Sequence, residues 1–267
     1  MTQERRIPRR IALIGFGALG QVLAGELQAG HVPGAEFIGA LVTGAQARGG
    51  LHTSWTRLDD LLAAQPDLVV EVAGQAALQS HAPACLGAGC DVVAASVGAL
   101  MDSSLRNRLW DCARQGRSRL LIPSGALGGL DYLRAARRVG AVQVNYRGCK
   151  PVAAWRGTEA ERLIDLSAID KSTVFFRGGA EEAAARFPKN ANVVAALALA
   201  VGDPMAVTVE LVAEPGANAN RHELIAHGAA GTIRLSVENS PLPANPKSSR
   251  ITAFSILETV ASHGGEL

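Results

Sequence analysis

The 267-residue chain carries a formal net charge of +2, with 48% hydrophobic and 19% charged residues, the balance of a packed globular protein of one large or two ordinary domains. So small a charge excludes a nucleic-acid footprint, and the basic cluster Arg5, Arg6, Arg9 and Arg10 is short and terminal, a solvated lead into the first strand. No apolar stretch reaches the roughly 18 residues of a membrane helix.

Residues 9 to 16, RRIALIGF, form a short apolar run of the kind found in buried parallel strands. GFGALG follows at once, and ALGQVLAGELQAG then continues in a helical pattern. Strand, glycine turn and helix in this order give G-x-G-x-x-G its meaning. Gly15 allows the tight turn, Gly17 lets backbone amides approach a pyrophosphate, and Gly20 lets helix and strand pack closely. Phe16, Ala18 and Leu19 complete a loop whose helix N-terminus faces the phosphates. A dinucleotide, NAD or NADP, is the expected cofactor. The second strand, EFIGALVTG, ends at Thr43, and the next charged residue is Arg48. The acidic residue that would bind a ribose 2'-hydroxyl is therefore missing, and Thr43 with Arg48 is expected to tolerate a 2'-phosphate.

Further strands are expected at DLVVEVAG (67 to 74), CDVVAASVGAL (90 to 100) and RLLIPSGALGG (119 to 129), with helices such as LDDLLAAQ and SLRNRLWDCARQG between them. The alternation implies a doubly wound parallel sheet. Ligands lie beyond the carboxyl ends of such strands, which nominates Ala73, Gly74, Ser96, Val97, Gly98, Ser124, Gly125 and Ala126. Cys85, Cys90, Cys112 and Cys149 contain no C-x-x-C pair and make no disulfide framework in a chain this long. Reduced thiols, no metal and a cytoplasmic protein are expected.

The second half changes character. After a helix near 129 to 139, AVQVNYRG, STVFFRGG, AVTVELVAE and GTIRLSVEN alternate like strands, with helical segments at EEAAARF and NANVVAALALAV. This predicts a second α/β domain, a mixed sheet with one covered face, for substrate binding and subunit pairing. An exposed hydrophobic face on that sheet would make a homodimer. The last segment, SSRITAFSILETVASHG, reads as a helix capped by Ser248 or Ser249 that packs back on the nucleotide domain. The expected division is residues 1–124 plus 245–267 for the nucleotide domain and 125–244 for the second. PKNANV and NPKSS set lysines and amides at helix starts, where anions bind.

GANANRHELIAHG (216 to 228) holds two of the six histidines. His222, Glu223 and His227 read H-E-x-x-x-H, one residue too long for the two-histidine zinc motif on a helix face. On a strand, His222 shares a face with Leu224 and Ala226, and His227 with Glu223 and Ile225. At most one histidine is functional, and the spacing leaves open which.

GFGALG, ASVGAL, IPSGALGGLD, FPKNANVVAALALA, NRHELIAHG and ENSPLPANPKSS together resemble the L-aspartate dehydrogenase family nearly end to end. The resemblance implies a Rossmann domain joined to an α/β substrate domain, an oligomer, and NAD(P)-dependent oxidation of L-aspartate to iminoaspartate. Hydrolysis then yields oxaloacetate and ammonia, the reverse is a reductive amination, and released iminoaspartate links to NAD biosynthesis. It places the catalytic histidine at His222, cofactor contacts at Ala126 and Asn192, and nothing functional at His227. An imidazole with a pKa of about 6.5 passes protons in both directions. Two substrate carboxylates need cations or amide donors, for which Lys150, Lys189, Lys247, Asn190 and Asn220 are candidates, with Ser124 at a strand end. Two readings compete. One is a related two-domain dehydrogenase or reductase for another small carbonyl or imine, such as a homoserine dehydrogenase or dihydrodipicolinate reductase relative. The other is a non-catalytic dinucleotide sensor, which needs only the glycine loop.

Overall fold

The computed structural model describes residues 8–43, 53–188 and 191–263, apart from the side chains of Pro246 and Lys247. Two compact units form, one from residues up to Pro123 together with Ala253 onward, the other from Ser124–Thr252.

In the first unit, β1 (Arg9–Ile14), α1 (Ala18–Gln28), β2 (Ala35–Leu41), β3 (Ser54–Trp55), α2 (Leu58–Ala63), β4 (Leu68–Glu71), α3 (Gln75–Gly87), β5 (Asp91–Ala94), α4 (Ser103–Gly116) and β6 (Leu120–Leu121) follow in chain order. The strands pair in parallel in the order β3-β2-β1-β4-β5-β6, the doubly wound arrangement of a dinucleotide-binding sheet. Strands buried on both faces carry apolar runs without alternation, and Ile11–Ile14 and Leu68–Val70 are all at most 2% exposed.

The second unit contains α5 (Leu130–Val139), β7 (Val142–Pro151), α6 (Ala160–Leu163), β8 (Thr173–Gly179), α7 (Ala180–Arg186), α8 (Ala191–Val201), β9 (Val207–Glu214), β10 (Asn220–Gly228), β11 (Gly231–Asn239), β12 (Pro241–Leu242) and β13 (Asn245–Ser249). Five strands make a mixed sheet in the order β11-β10-β7-β9-β8, with β7 and β9 parallel and the other pairs antiparallel. Helices α5, α7 and α8 pack on one face, where Val144, Val207, Val209, Leu211, Leu224 and Ala226 are buried.

Two features differ from expectation. The opposite sheet face is charged: Arg221 pairs with Glu214 and Glu223, and Arg177 with Glu210, leaving Ile225 as its exposed large apolar residue. The apolar alternation of these strands belongs to the face under the helices. Residues 245–252 group with the second unit, because β13 pairs with β12 and the Arg250 amide donates to the Ser240 carbonyl.

The final helix, α9 (Arg250–His263), follows Ser249 directly. Its Ala253, Ile256, Leu257 and Val260 join Ile11, Leu13, Leu23 and Leu27 in the core of the first unit. His263 Nε2 lies 2.6 Å from Asp91 Oδ2. All four cysteines are free thiols. Among the described residues no helix is long and apolar enough to cross a membrane.

Candidate active site

In the first unit the glycine turn is shaped by close approach. Gly15 has φ +99°, and a Cβ there would stand 2.8 Å from Ala73 Cβ; a Cβ on Gly20 would stand 2.5 Å from the Gly15 carbonyl oxygen. Gly17 meets nothing within 4 Å and precedes α1 without a side-chain cap. An uncapped helix start with open space above its backbone amides suits a diphosphate, so these residues fit NAD or NADP. Phe16 and Leu19 turn their side chains onto the core, so their contribution to the loop is backbone.

Glu71 holds the neighbouring strand ends together. It is fully buried, and its Oε1 accepts from the Ala73 and Gly74 amides, both at 2.8 Å, and from Ser96 Oγ at 3.0 Å. Its Oε2 accepts from the Ser96 amide at 3.1 Å. Burial raises its pKa, against the opposing pull of these donors. The sequence marks this residue only as an acid ending an apolar strand, LVVE. Thr43 is exposed just beyond β2, and Arg48 lies outside the described residues.

In the second unit, β10 stands between β7 and β11, with His222 opposite Gly148 on one side and Val237 on the other. Side chains alternate along β10 as the period of two requires: His222 is 4% exposed and His227 is exposed. Tyr146, Gly148 and Lys150 share the His222 face. Tyr146 Oη lies 2.7 Å from His222 Nδ1, with the two rings 19° from parallel. The Lys150 ammonium lies 5.5 Å from the centre of the Trp155 ring, and burial lowers its pKa to about 8. Burial, then the positive charge of Lys150, lowers His222 to about 4, so the imidazole is neutral at pH 7.

Asn220 pairs with Asn239 at the start of the β10–β11 ladder, and Asn239 Nδ2 donates to the Ala126 carbonyl at 2.8 Å. The ladder thus reaches the loop after Pro123, where Ser124 is exposed and its carbonyl accepts from the Leu127 amide. A cavity of about 300 Å³ beside Asn220 is lined also by Pro151, Ala153, Ala154, Asn218 and Asn245. A larger one, about 870 Å³, lies among Arg9, Asp67, Asp91, Arg117 and Arg119. It sits at the amino ends of the first unit's strands, away from the end where ligands bind.

Residues 15–123 match the family model described as homoserine dehydrogenase, NAD binding domain, and residues 131–263 match that of aspartate dehydrogenase, C-terminal. The chain is 43% identical over 262 residues to the L-aspartate dehydrogenase of Ruegeria pomeroyi, covering 97% of this chain and 94% of the other. This chain belongs to the L-aspartate dehydrogenase family. It is also 42% identical to L-aspartate dehydrogenase 2 of Bordetella pertussis, covering 95% of this chain and 96% of that one. The crystal structure of aspartate dehydrogenase from Thermotoga maritima superposes with a TM-score of 0.76 at 25% identity, covering 97% of this chain and 98% of that chain. An archaeal homoserine dehydrogenase in complex with NADPH shares the fold at TM-score 0.62 and 12% identity, covering 97% and 98% of the two chains.

Within this L-aspartate dehydrogenase family member, Gly15, Ala73 and Gly74 come together in the first unit. His222, Lys150 and Asn220 come together on one sheet face of the second. Asn192 is exposed in the first turn of α8. Lys189, Asn190 and the Lys247 side chain lie outside the described residues. Tyr146, Gly148, Glu71 and Asn239 are additions that the sequence reading did not single out. Among the described residues no group of three His, Cys, Asp or Glu side chains is placed to hold a metal.

Proposed function

We propose that the protein oxidatively deaminates L-aspartate to iminoaspartate, hydrolysed to oxaloacetate and ammonia, and runs the reverse reductive amination. The observation that carries this reading is a neutral, buried His222 next to the Lys150 ammonium on one sheet face, within a family whose relatives are named for this reaction.

The Gly15–Gly20 loop, Thr43, Ala73, Gly74, Ala126 and Asn192 would hold NAD or NADP. When bound, the oxidised nicotinamide takes the hydride that leaves Cα of the amino acid. The substrate ammonium must lose a proton for that hydride to leave, and the imine carbon must then gain a hydroxyl from water. A neutral imidazole accepts a proton at either point and returns it to the departing ammonia. The Lys150 ammonium is a cation at pH 7 and supplies charge to a substrate carboxylate, with Asn220 and Ser124 as neutral partners. Lys189, Asn190 and Lys247 are further candidates for the second carboxylate on sequence grounds. A cytoplasmic homodimer completes the reading; light scattering on the purified protein checks the assembly.

The direct test is absorbance of the reduced nicotinamide with L-aspartate and NAD or NADP, then with oxaloacetate, ammonia and the reduced cofactors. Turnover restricted to aspartate among amino acids supports the reading, and the two cofactors report the preference that Thr43 leaves open. Silence in both directions with cofactor still bound refutes the substrate. His222→Ala should lower kcat by about a hundredfold while cofactor affinity stays close to wild type.

A further inference from the structure

Tyr146 and His222 are 76 positions apart in sequence, and the β7–β10 register makes them diagonal neighbours on one face. The residue directly opposite His222 is Gly148. A Cβ built on Gly148 would stand 2.7 Å from Tyr146 Oη and 3.2 Å from its Cζ, so the phenol occupies the space that any side chain at 148 would take. Gly148 is not in the left-handed region of backbone space; it is the room above it that demands glycine. Through that room the hydroxyl reaches Nδ1 at 2.7 Å.

Tyr146 is itself buried, at 4% exposure, and burial raises its pKa above the ordinary phenol value. It therefore stays a neutral hydroxyl, and for Nε2 to accept a proton the neutral ring must carry its hydrogen on Nδ1 and donate it to Oη. A half-turn of the imidazole about its ring axis would replace Nδ1 by a carbon and break this bond. Leaving a buried hydroxyl without its partner is unfavourable, so the bond selects one of the two ring orientations.

We infer that Tyr146 is a positioning residue for His222, engaging Nδ1 so that Nε2 is the nitrogen left to meet the reactants, with Gly148 keeping the space this contact needs. The inference rests on reading His222 as the acid/base group. Tyr146→Phe keeps the ring and removes only the hydroxyl, while Gly148→Ala keeps the hydroxyl and displaces it. Both variants are compared with wild type and His222→Ala by steady-state kinetics, by reduced-cofactor titration as a check of folding, and by ¹⁵N spectra of histidine-labelled protein at pH 7.5. The resonances missing from His222→Ala identify His222. The expected result is a fall in kcat of about tenfold or more in both variants, a KM for aspartate within about threefold of wild type, and nitrogen shifts that change from a single tautomer to a mixture. If His222→Ala is inactive while both variants keep wild-type kcat and spectra, the positioning role is overturned and the acid/base reading stands. If His222→Ala keeps wild-type kcat, the acid/base reading falls and this inference with it.

Discussion

Acidification should destabilise the second unit through His222 specifically. In the folded chain its pKa is lowered to about 4, first by burial and then by the Lys150 ammonium; in the unfolded chain an imidazole titrates near 6.5. Between these values the unfolded chain binds a proton that the native chain refuses, so stability falls as pH falls. The two pKa values give a loss of about 2 kcal/mol between pH 7 and pH 5 and about 3 kcal/mol by pH 4. Lys150, with a pKa of about 8, remains protonated across this window and adds no slope of its own. Urea unfolding of the full chain at pH 7, 6 and 5 measures the effect in a Trp55→Phe, Trp110→Phe background. That leaves the fully buried Trp155 as a fluorophore within the second unit. The same series in a His222→Gln variant removes the titrating group and keeps every carboxylate, so the difference between the two pH slopes isolates His222. Parallel slopes would mean that the imidazole is not held neutral, and the reasoning would fail.

Two further outcomes concern the first unit. Glu71→Gln preserves shape, but its Nε2 would face the Ser96 amide, donor against donor, at the position where Oε2 now accepts; cofactor affinity should fall about tenfold in a fluorescence titration, and an unchanged Kd would disprove the loop-holding role. Asp91→Asn weakens a carboxylate that accepts from Arg9 at 3.1 Å, from the Arg119 amide at 2.7 Å and meets His263 at 2.6 Å. A loss of about 2 kcal/mol is expected from breaking such a partly buried cluster, read by urea unfolding of the full chain.

Short-range features were legible in the sequence. The glycine turn is legible because Gly15, Gly17 and Gly20 act within one turn. The sidedness of His222 and His227 follows from a strand's period of two, which needs no knowledge of the partner strand. What depends on pairing was not legible. Nothing local links Tyr146 to His222, or Asn239 to Ala126 across 113 positions, because each contact exists only in one register. The charged sheet face was misjudged for a related reason: alternation shows that a strand has two faces, but only the packing of α5, α7 and α8 shows which one water sees. β3, two residues long, offers no period at all.

The route of α9 has a bearing on how this protein comes off the ribosome. The sheet of the nucleotide-binding unit is finished by Leu121, yet part of its apolar filling, Ala253, Ile256, Leu257 and Val260, arrives more than 125 residues later. During synthesis that surface stays open while the entire second unit is translated, so the first half of the chain is made first and matures last. A nascent chain stalled before residue 253 would carry a complete glycine loop over an unfilled core, a natural client for a chaperone. The last helix is the closing stitch of that core.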